Sequence, residues 1–284
     1  MGKNYRDELV GVFGCPVDEN PTGVIEEKAF AYKKLPYRYI VYKVDKDGLD
    51  TAMHAVRALN MRGINLTIPH KVAAVPYLDE LSEAAGIIGA VNIIVNRGGI
   101  LWGENTDGKG FLTSLRTEDI RTEGAEVTIL GAGGAARAIA VECALSGTGK
   151  VTVINRDPKK GNELCSLIRR RTGAEAEYKN WAGRVEIPES TDILINGTSV
   201  GLYPHTDQKP EINYDCIHEG MAVCDVVFND PRTLFLEEAK KRHAKTVNGL
   251  GMLVNQAALN FELWTGEKAP LEVMEQALRE EFGL

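Results

Sequence analysis

The run Val127-Thr128-Ile129-Leu130-Gly131-Ala132-Gly133-Gly134-Ala135-Ala136-Arg137-Ala138 constrains the fold of this chain more than any other stretch. A short β-branched and apolar run stops at a glycine, and a series of small residues then opens into a helical pattern. A strand turning this tightly into a helix points the unpaired N–H groups and the positive dipole end of that helix at the turn, where a diphosphate can sit. Gly131 permits the turn, Gly133 lets the backbone approach a pyrophosphate, and Gly134 and Ala136 let the helix pack closely on the strand, with Ala135 beside them. A glycine turn can also be purely structural. Here a second strand, Val151–Ile154, follows at β-α-β distance, and that context favours dinucleotide binding.

The second strand ends in Asn155-Arg156-Asp157-Pro158. An acid at this place holds ribose hydroxyls in NAD sites, and a cation nearby suits the 2′-phosphate of NADP. Asn155 and Arg156 favour NADP. Asp157 would favour NAD unless it caps the helix that starts at Pro158. NADP is therefore the expected cofactor and NAD the alternative. Two further turns, Asn196–Gly201 with Thr198 and Ser199, and Val247–Met252 with Gly249, fall at expected strand ends; each is a cofactor contact or a plain loop.

Short apolar runs alternate with longer helical stretches along the rest of the chain. The strands expected are Leu9–Phe13, Tyr37–Val44, Ile64–Thr67, Asn92–Val95, Val127–Leu130, Val151–Ile154, Ile193–Asn196 and Val223–Val227. The helices expected are Val24–Lys34, Leu49–Asn60, Gly134–Leu145, Pro158–Arg171, Thr233–Arg242, Gly251–Gly266 and Pro270–Phe282. This alternation predicts an α/β fold with buried parallel strands. With 284 residues, about two domains are expected. The polar segment Ser114–Val127 places a boundary, and a hinge, near Gly108–Ser114. The expected division is 1–112 with 250–284, and 113–249, the C-terminal helices returning to the first domain because no strand follows them.

Lys and Arg number 33 against 40 Asp and Glu, a net charge of −7, which argues against nucleic acid as a partner. No apolar run is long enough to span a membrane. Met1–Leu9 is charged and carries no leader-like apolar segment. Five cysteines, none in a CxxC spacing, read as reduced thiols of a cytoplasmic protein. The histidines show no paired-ligand spacing, so no metal is expected.

Three segments of the first domain carry polar groups at strand ends or turns: Asn65-Leu66-Thr67-Ile68-Pro69-His70-Lys71, Gly89-Ala90-Val91-Asn92, and Gly103-Glu104-Asn105-Thr106-Asp107-Gly108-Lys109-Gly110. Singly each is weak, Lys71 being a solvated helix lysine and Asp107 a turn residue in the plainer readings. In this order, ahead of the glycine turn, they resemble the shikimate dehydrogenase family. Gly14-Cys15-Pro16-Val17 is similar to that family's opening substrate loop. Gly251–Ala258 with Phe261–Gly266 is similar to its C-terminal signature.

The resemblance covers nearly the whole chain. It implies an N-terminal α/β substrate domain plus a Rossmann-type dinucleotide-binding domain, and reversible hydride transfer between a ring hydroxyl of shikimate or a related cyclic polyol acid and NAD(P). It also implies a catalytic pair, Lys71 and Asp107. Thr67, Asn92, Asn105 and Gln256 would contact substrate, although Asn92 and Gln256 also suit a purely structural role. The chemistry needs such a pair in any case, because the hydroxyl proton must reach a base as hydride leaves the carbon. A free lysine has a pKa of ~10.4, which desolvation lowers and a carboxylate raises. Monomers and homodimers are both compatible with the resemblance.

The chain departs from the family in the opening loop. Two serines usually hold the substrate carboxylate there; Asn20 and Thr22 take their places, with Gly23 where proline is usual. Asp18 and Glu19 add negative charge unless they face solvent. Phe228 stands where a tyrosine is common. These changes touch substrate recognition and spare the hydride machinery, so quinate or another polyol is an alternative substrate. A ligand-binding or regulatory protein without turnover is a second alternative, against which the retained Lys71 and Asp107 argue. A Rossmann dehydrogenase for a folate or acyl substrate is disfavoured by the ordered motifs.

Overall fold

The computed structural model describes residues 5–228 and 231–284, so part of the Met1–Leu9 reading lies outside the described residues. Packing divides the chain into two units, Met1–Thr106 with Val254–Leu284, and Asp107–Leu253.

The first unit contains β1 (Glu8–Gly14), α1 (Thr22–Lys33), β2 (Tyr37–Lys43), α2 (Leu49–Ala58), β3 (Gly63–Leu66), α3 (His70–Ala73), β4 (Glu80–Leu81), α4 (Glu83–Ile88), β5 (Ile93–Arg97) and β6 (Ile100–Glu104). Its six strands form one sheet in the order β2-β1-β3-β5-β6-β4. β1 is parallel to β2 and β3, whereas β5 is antiparallel to β3 and β6, so the sheet is mixed. β3 and most of β5 are buried, Asn65 of β3 included, its Nδ2 donating to Asn92 O at 3.1 Å. Phe13, Met53, Val56, Ile64, Leu66, Ile94 and Leu101 form the core that α2 closes. The Ser82 hydroxyl starts α4 by accepting from Ala85 N at 3.1 Å, and Gly89 ends it in the left-handed region at φ 71°.

The second unit contains α5 (Asp107–Thr117), β7 (Glu126–Leu130), α6 (Gly134–Leu145), β8 (Lys150–Asn155), α7 (Pro158–Thr172), β9 (Glu175–Asn180), β10 (Ile193–Asn196), β11 (Ala222–Asp225), α8 (Leu234–Lys240) and β12 (Lys245–Val247). All pairings are parallel and the order is β12-β11-β10-β7-β8-β9. Starting from β7, the chain builds outward to β9, then returns to the other side of β7 and builds outward again. β7 and β10 therefore flank the switch point of a doubly wound sheet, and ligands bind beyond the carboxyl ends of strands at such a point.

Two helices end the chain, α9 (Gly249–Thr265) and α10 (Leu271–Glu281). From Val254 onward they belong to the first unit, as the sequence led us to expect. Trp264, fully buried, fixes them: its Nε1 donates to Ile94 O at 3.1 Å, and its carbonyl accepts from Arg62 Nε and Tyr37 OH at 2.6 and 3.1 Å. Phe261 stacks on Phe30 of α1.

All eight expected strands form, within about two residues at each end. Four more form that apolar patterning did not suggest. β9 is polar and half of its residues are exposed, β4 has two residues, β12 has three, and β6 holds only three apolar residues before Gly103 and Glu104. The helix α5 replaces the boundary segment expected at Gly108–Ser114. A hinge was expected in this stretch, and Gly108 lies against α6, where a Cβ would stand 2.5 Å from Ala138 O. The small residue serves helix packing there.

Candidate active site: a nucleotide turn and a polar network

In the second unit, Gly131 leaves β7 at φ 102°, a conformation that L residues with side chains rarely adopt. A Cβ there would also meet Thr198 Cγ2 at 2.9 Å. Gly133 occupies the N-cap of α6 and offers no side chain to its orphan N–H groups. Space around a Cβ on Gly133 or Gly134 is open, so both leave their side of the turn clear for a ligand. Gly134 was expected to let the helix pack on the strand, and it does not serve that purpose because it faces open space. Ala136 does: it is fully buried, and a Cβ on Gly197 would lie 2.8 Å from its own. Ala135 is half-buried beside it.

Asn155 ends β8, its Nδ2 donating to Asp157 O at 2.9 Å. The Asp157 carboxylate accepts from Lys159 N and Lys160 N at 2.9 and 3.2 Å, capping α7. Its place in the sequence is thus explained by the helix it starts. Arg156 is exposed, its guanidinium 5.7 Å from the centre of the Trp181 ring.

Thr198 follows β10 and its Oγ1 donates to Asn196 Oδ1 at 2.6 Å; Ser199 is exposed. Asn196 is wholly buried and its Nδ2 donates to Asp225 Oδ1 at 2.9 Å. The same oxygen accepts from Val227 N at 3.1 Å, and the second carboxylate oxygen accepts from Thr233 Oγ1 at 2.7 Å. Burial pushes the Asp225 carboxyl up to about 6, against the pull of these three hydrogen bonds. Asn196 was read only as the start of a turn at a strand end, and Asp225 was not singled out; their place as the last residues of paired strands was the available signal. Gly249 opens α9 with its Cα hard against β11's exit, where a Cβ would stand 2.4 Å from Val227 O. Phe228 is half-buried just beyond.

In the first unit, Asn92 centres a buried polar network. Its Nδ2 donates to Thr106 Oγ1 at 3.0 Å and to Gln256 Oε1 at 3.3 Å, while its Oδ1 accepts from Thr106 N at 2.8 Å. Gln256 Oε1 also accepts from Asn260 Nδ2 at 3.1 Å, and Thr106 Oγ1 lies 2.7 Å from Asn260 Oδ1. Asn105 is buried, its Nδ2 donating to Ala90 O at 3.2 Å. The structure therefore brings Asn92 and Gln256 together. It adds Thr106 and Asn260, which the sequence reading missed. Asn260 lies one helical turn from Gln256 on α9, the spacing that could have found it.

Lys71 is half-buried on the short α3, which follows Thr67 at the end of β3. Its carbonyl accepts from Val91 N at 2.8 Å, tying α3 to the residue before Asn92. His70 is fully buried with Nε2 2.8 Å from Val44 O, and its Nδ1 is buried without a hydrogen-bond partner. Asp107 is buried at the first position of α5, in the second unit.

In the opening loop, Asn20 Oδ1 accepts from Thr22 N at 3.0 Å, and Thr22 is buried at the start of α1. Asp18 and Glu19 are exposed, so both face solvent. One turn beyond Thr22, Glu26 is fully buried and neither carboxyl oxygen has a hydrogen-bond partner. Burial holds its carboxyl well above the usual carboxylate range. Among the described residues no group of three or more His, Cys, Asp or Glu side chains is placed to hold a metal ion. No helix among them is long and apolar enough to cross a membrane.

Three family models match in succession: the shikimate dehydrogenase substrate binding domain over residues 12–94, shikimate / quinate 5-dehydrogenase over 114–229, and the shikimate 5′-dehydrogenase C-terminal domain over 249–279. The shikimate dehydrogenase (NADP(+)) of Desulforamulus reducens is 41% identical over 98% of this chain and 97% of its own length. The ligand-free 5-ketofructose reductase of Gluconobacter sp. strain CHM43 superposes with a TM-score of 0.93 at 43% identity, over 98% of this chain and all of that one. A shikimate dehydrogenase solved in complex with NADP+ gives 0.92 at 35% identity, over 98% and 97%. Fold, ordered motifs and near-complete coverage agree: the chain belongs to the shikimate/quinate dehydrogenase family of oxidoreductases.

Proposed function

We propose that the protein is an NADP(H)-linked oxidoreductase interconverting a secondary alcohol and a ketone on a polyhydroxylated substrate, with shikimate and 3-dehydroshikimate the first pair to test. The observation that carries this is the open glycine turn at the sheet's switch point in one unit, alongside the buried Asn92 network in the other. Residues 1–112 with 250–284 are proposed as the substrate-binding and catalytic domain, and 113–249 as the nucleotide domain.

The turn fits a dinucleotide. Gly131, Gly133, Gly134 and Ala135 would hold the diphosphate through backbone N–H groups. Asn155 and Arg156 would hold the adenosine end, Arg156 supplying charge for a 2′-phosphate while Asp157 is engaged in its cap. Thr198, Ser199 and Gly249 would border the nicotinamide side. Bound there, NADPH supplies the hydride. Lys71 as an ammonium would stabilise charge developing on the carbonyl oxygen and give it a proton, Asp107 sharing the proton-handling. Thr67, Asn92, Asn105 and Gln256 would bind substrate hydroxyls, and Asn20 with Thr22 the far end of the substrate.

The free state of all five cysteines supports a reducing, cytoplasmic setting. A monomer or homodimer is proposed. One observation favours a second substrate: the 43% identical neighbour is named for reducing 5-ketofructose, an uncharged ketose. The deciding experiment follows NADPH absorbance with each candidate alcohol and NADP+, then each ketone and NADPH. Turnover with NADP(H) well above NAD(H) is expected. Tight NADPH binding without turnover of any polyol or its ketone would leave only a binding protein.

A further inference from the structure

At the ends of β10 and β11 a buried amide and a buried carboxyl face each other. Asn196 is wholly buried and Asp225 nearly so. An apolar residue closes a buried strand at lower cost, since a sealed polar group must recover the hydrogen bonds it gives up in water. Asn196 recovers all of its own. Its Nδ2 donates to Asp225 Oδ1 at 2.9 Å and to Val200 O at 3.2 Å, and its Oδ1 accepts from Thr198 N and Thr198 Oγ1 at 3.2 and 2.6 Å. Three of these four bonds leave the sheet and end on the turn that follows β10, where Thr198 Oγ1 in turn accepts from Val200 N at 3.1 Å.

Asp225 reaches the next turn. Its Oδ1 also accepts from Val227 N at 3.1 Å, fixing the chain as it leaves β11. The Val227 carbonyl lies where a Cβ on Gly249 would stand 2.4 Å away, at the start of α9. On its other side the turn after β10 touches the glycine turn, Thr198 Cγ2 standing 2.9 Å from where a Cβ on Gly131 would be. One pair of side chains thus links the exits of β7, β10 and β11. In the sheet these strands lie in the order β11-β10-β7-β8. A dinucleotide with its diphosphate at the β7 turn and its adenosine at the end of β8 extends its other half over β10 and β11. Those are the turns the pair supports.

We propose that Asn196 and Asp225 are positioning residues, which touch neither nucleotide nor substrate and preset the turns that receive the nicotinamide half of the cofactor. The proposal rests on the cofactor reading above and assigns that site its internal support. A turn fixed before the nucleotide arrives spares binding the entropy of ordering it. It also sets where the transferred hydride starts from, so a small displacement costs rate as well as affinity. The influence of the pair passes through the backbone after β10 and β11, and the adenosine end, at Asn155 and Arg156 beyond β8, lies outside it.

Isothermal titration of the full-length protein with two probes tests this: NADPH, and adenosine 2′,5′-bisphosphate, which carries the adenosine end alone. In Asn196→Ala and in Asp225→Ala the Kd for NADPH should rise roughly fivefold to twentyfold while that for the bisphosphate stays within about twofold. Asp225→Asn should recover most of the lost NADPH affinity, because its carbonyl still accepts from Asn196 Nδ2 and Val227 N, and the Thr233 hydroxyl accepts as readily as it donates. In the wild-type protein without nucleotide, the amides of Thr198, Val200 and Val227 should already exchange slowly with solvent, a reading that needs no variant to fold. Equal losses for both probes, no loss for either, no recovery in Asp225→Asn, or exchange of those amides at the rate of an unstructured chain overturns the proposal and leaves the oxidoreductase standing. A wild-type protein that does not bind NADPH removes the cofactor reading, and this proposal with it.

Discussion

The glycine turn of the second unit and the Asn92 network of the first are built on opposite principles. The turn presents backbone and open space: Gly133 and Gly134 face nothing, and only Gly131 is held in a conformation that demands glycine. The network presents side chains that already satisfy one another, Asn92 bonding at once to Thr106 and Gln256. A backbone site tolerates most changes that leave the turn its shape and its space. A network of buried amides tolerates few, because removing one member strands its partners in a low dielectric.

The proton-handling step offers the sharpest division. Lys71→Ala should lower kcat by about 10²–10⁴-fold while NADPH affinity, read by nucleotide fluorescence, stays within about twofold. A parallel loss of affinity would mean that the two halves are not functionally separate. Next, Asn92→Ala should cost about 1–3 kcal/mol of stability and also lower kcat/KM, whereas a loss in one measurement alone would show the network to be either scaffold or binding surface.

The turn makes the complementary forecast. Gly131→Ala should destabilise by about 1–3 kcal/mol from backbone strain and the Thr198 contact, visible as a lower Tm. Gly133→Ala should leave Tm unchanged and raise the Kd for NADPH, since its Cβ enters the space left for the ligand. Equal effects of the two substitutions would contradict the backbone-site picture.

The smallest effect belongs to Asp225. Its carboxyl is raised from 3.8 to about 6, so it holds its proton more tightly folded than unfolded. Its contribution favours the folded state fully below pH ~4, falls as pH rises through about 6, and is level above that. Denaturation midpoints across that window should show the decline, and Asp225→Asn should flatten it.

Much of this was legible beforehand. The strand–turn–helix at Gly131 and the helix cap at Asp157 follow from local rules that act over one or two turns of chain. Elements lacking an apolar period were invisible for the same reason. β9 is stabilised by its neighbour β8 rather than by its own composition, and the stretch expected to form a boundary is the helix α5, whose Gly108 packs against α6. Candidate site residues were found by type and order, but their partners were not: Gln256 meets Asn92 across 164 residues of chain, and Thr106 approaches Asn260 across 154.

The sequence by itself determined the two classes of local structure, the order of the chemical motifs and the negative charge of the Gly14–Glu27 segment. Only the tertiary structure decided which polar groups are satisfied, which glycine is obliged to be one, and that Glu26 is sealed from water. Hydrophobic period and turn chemistry are properties of neighbours in the chain, whereas hydrogen-bond partnership and desolvation depend on what the folded sheet brings alongside.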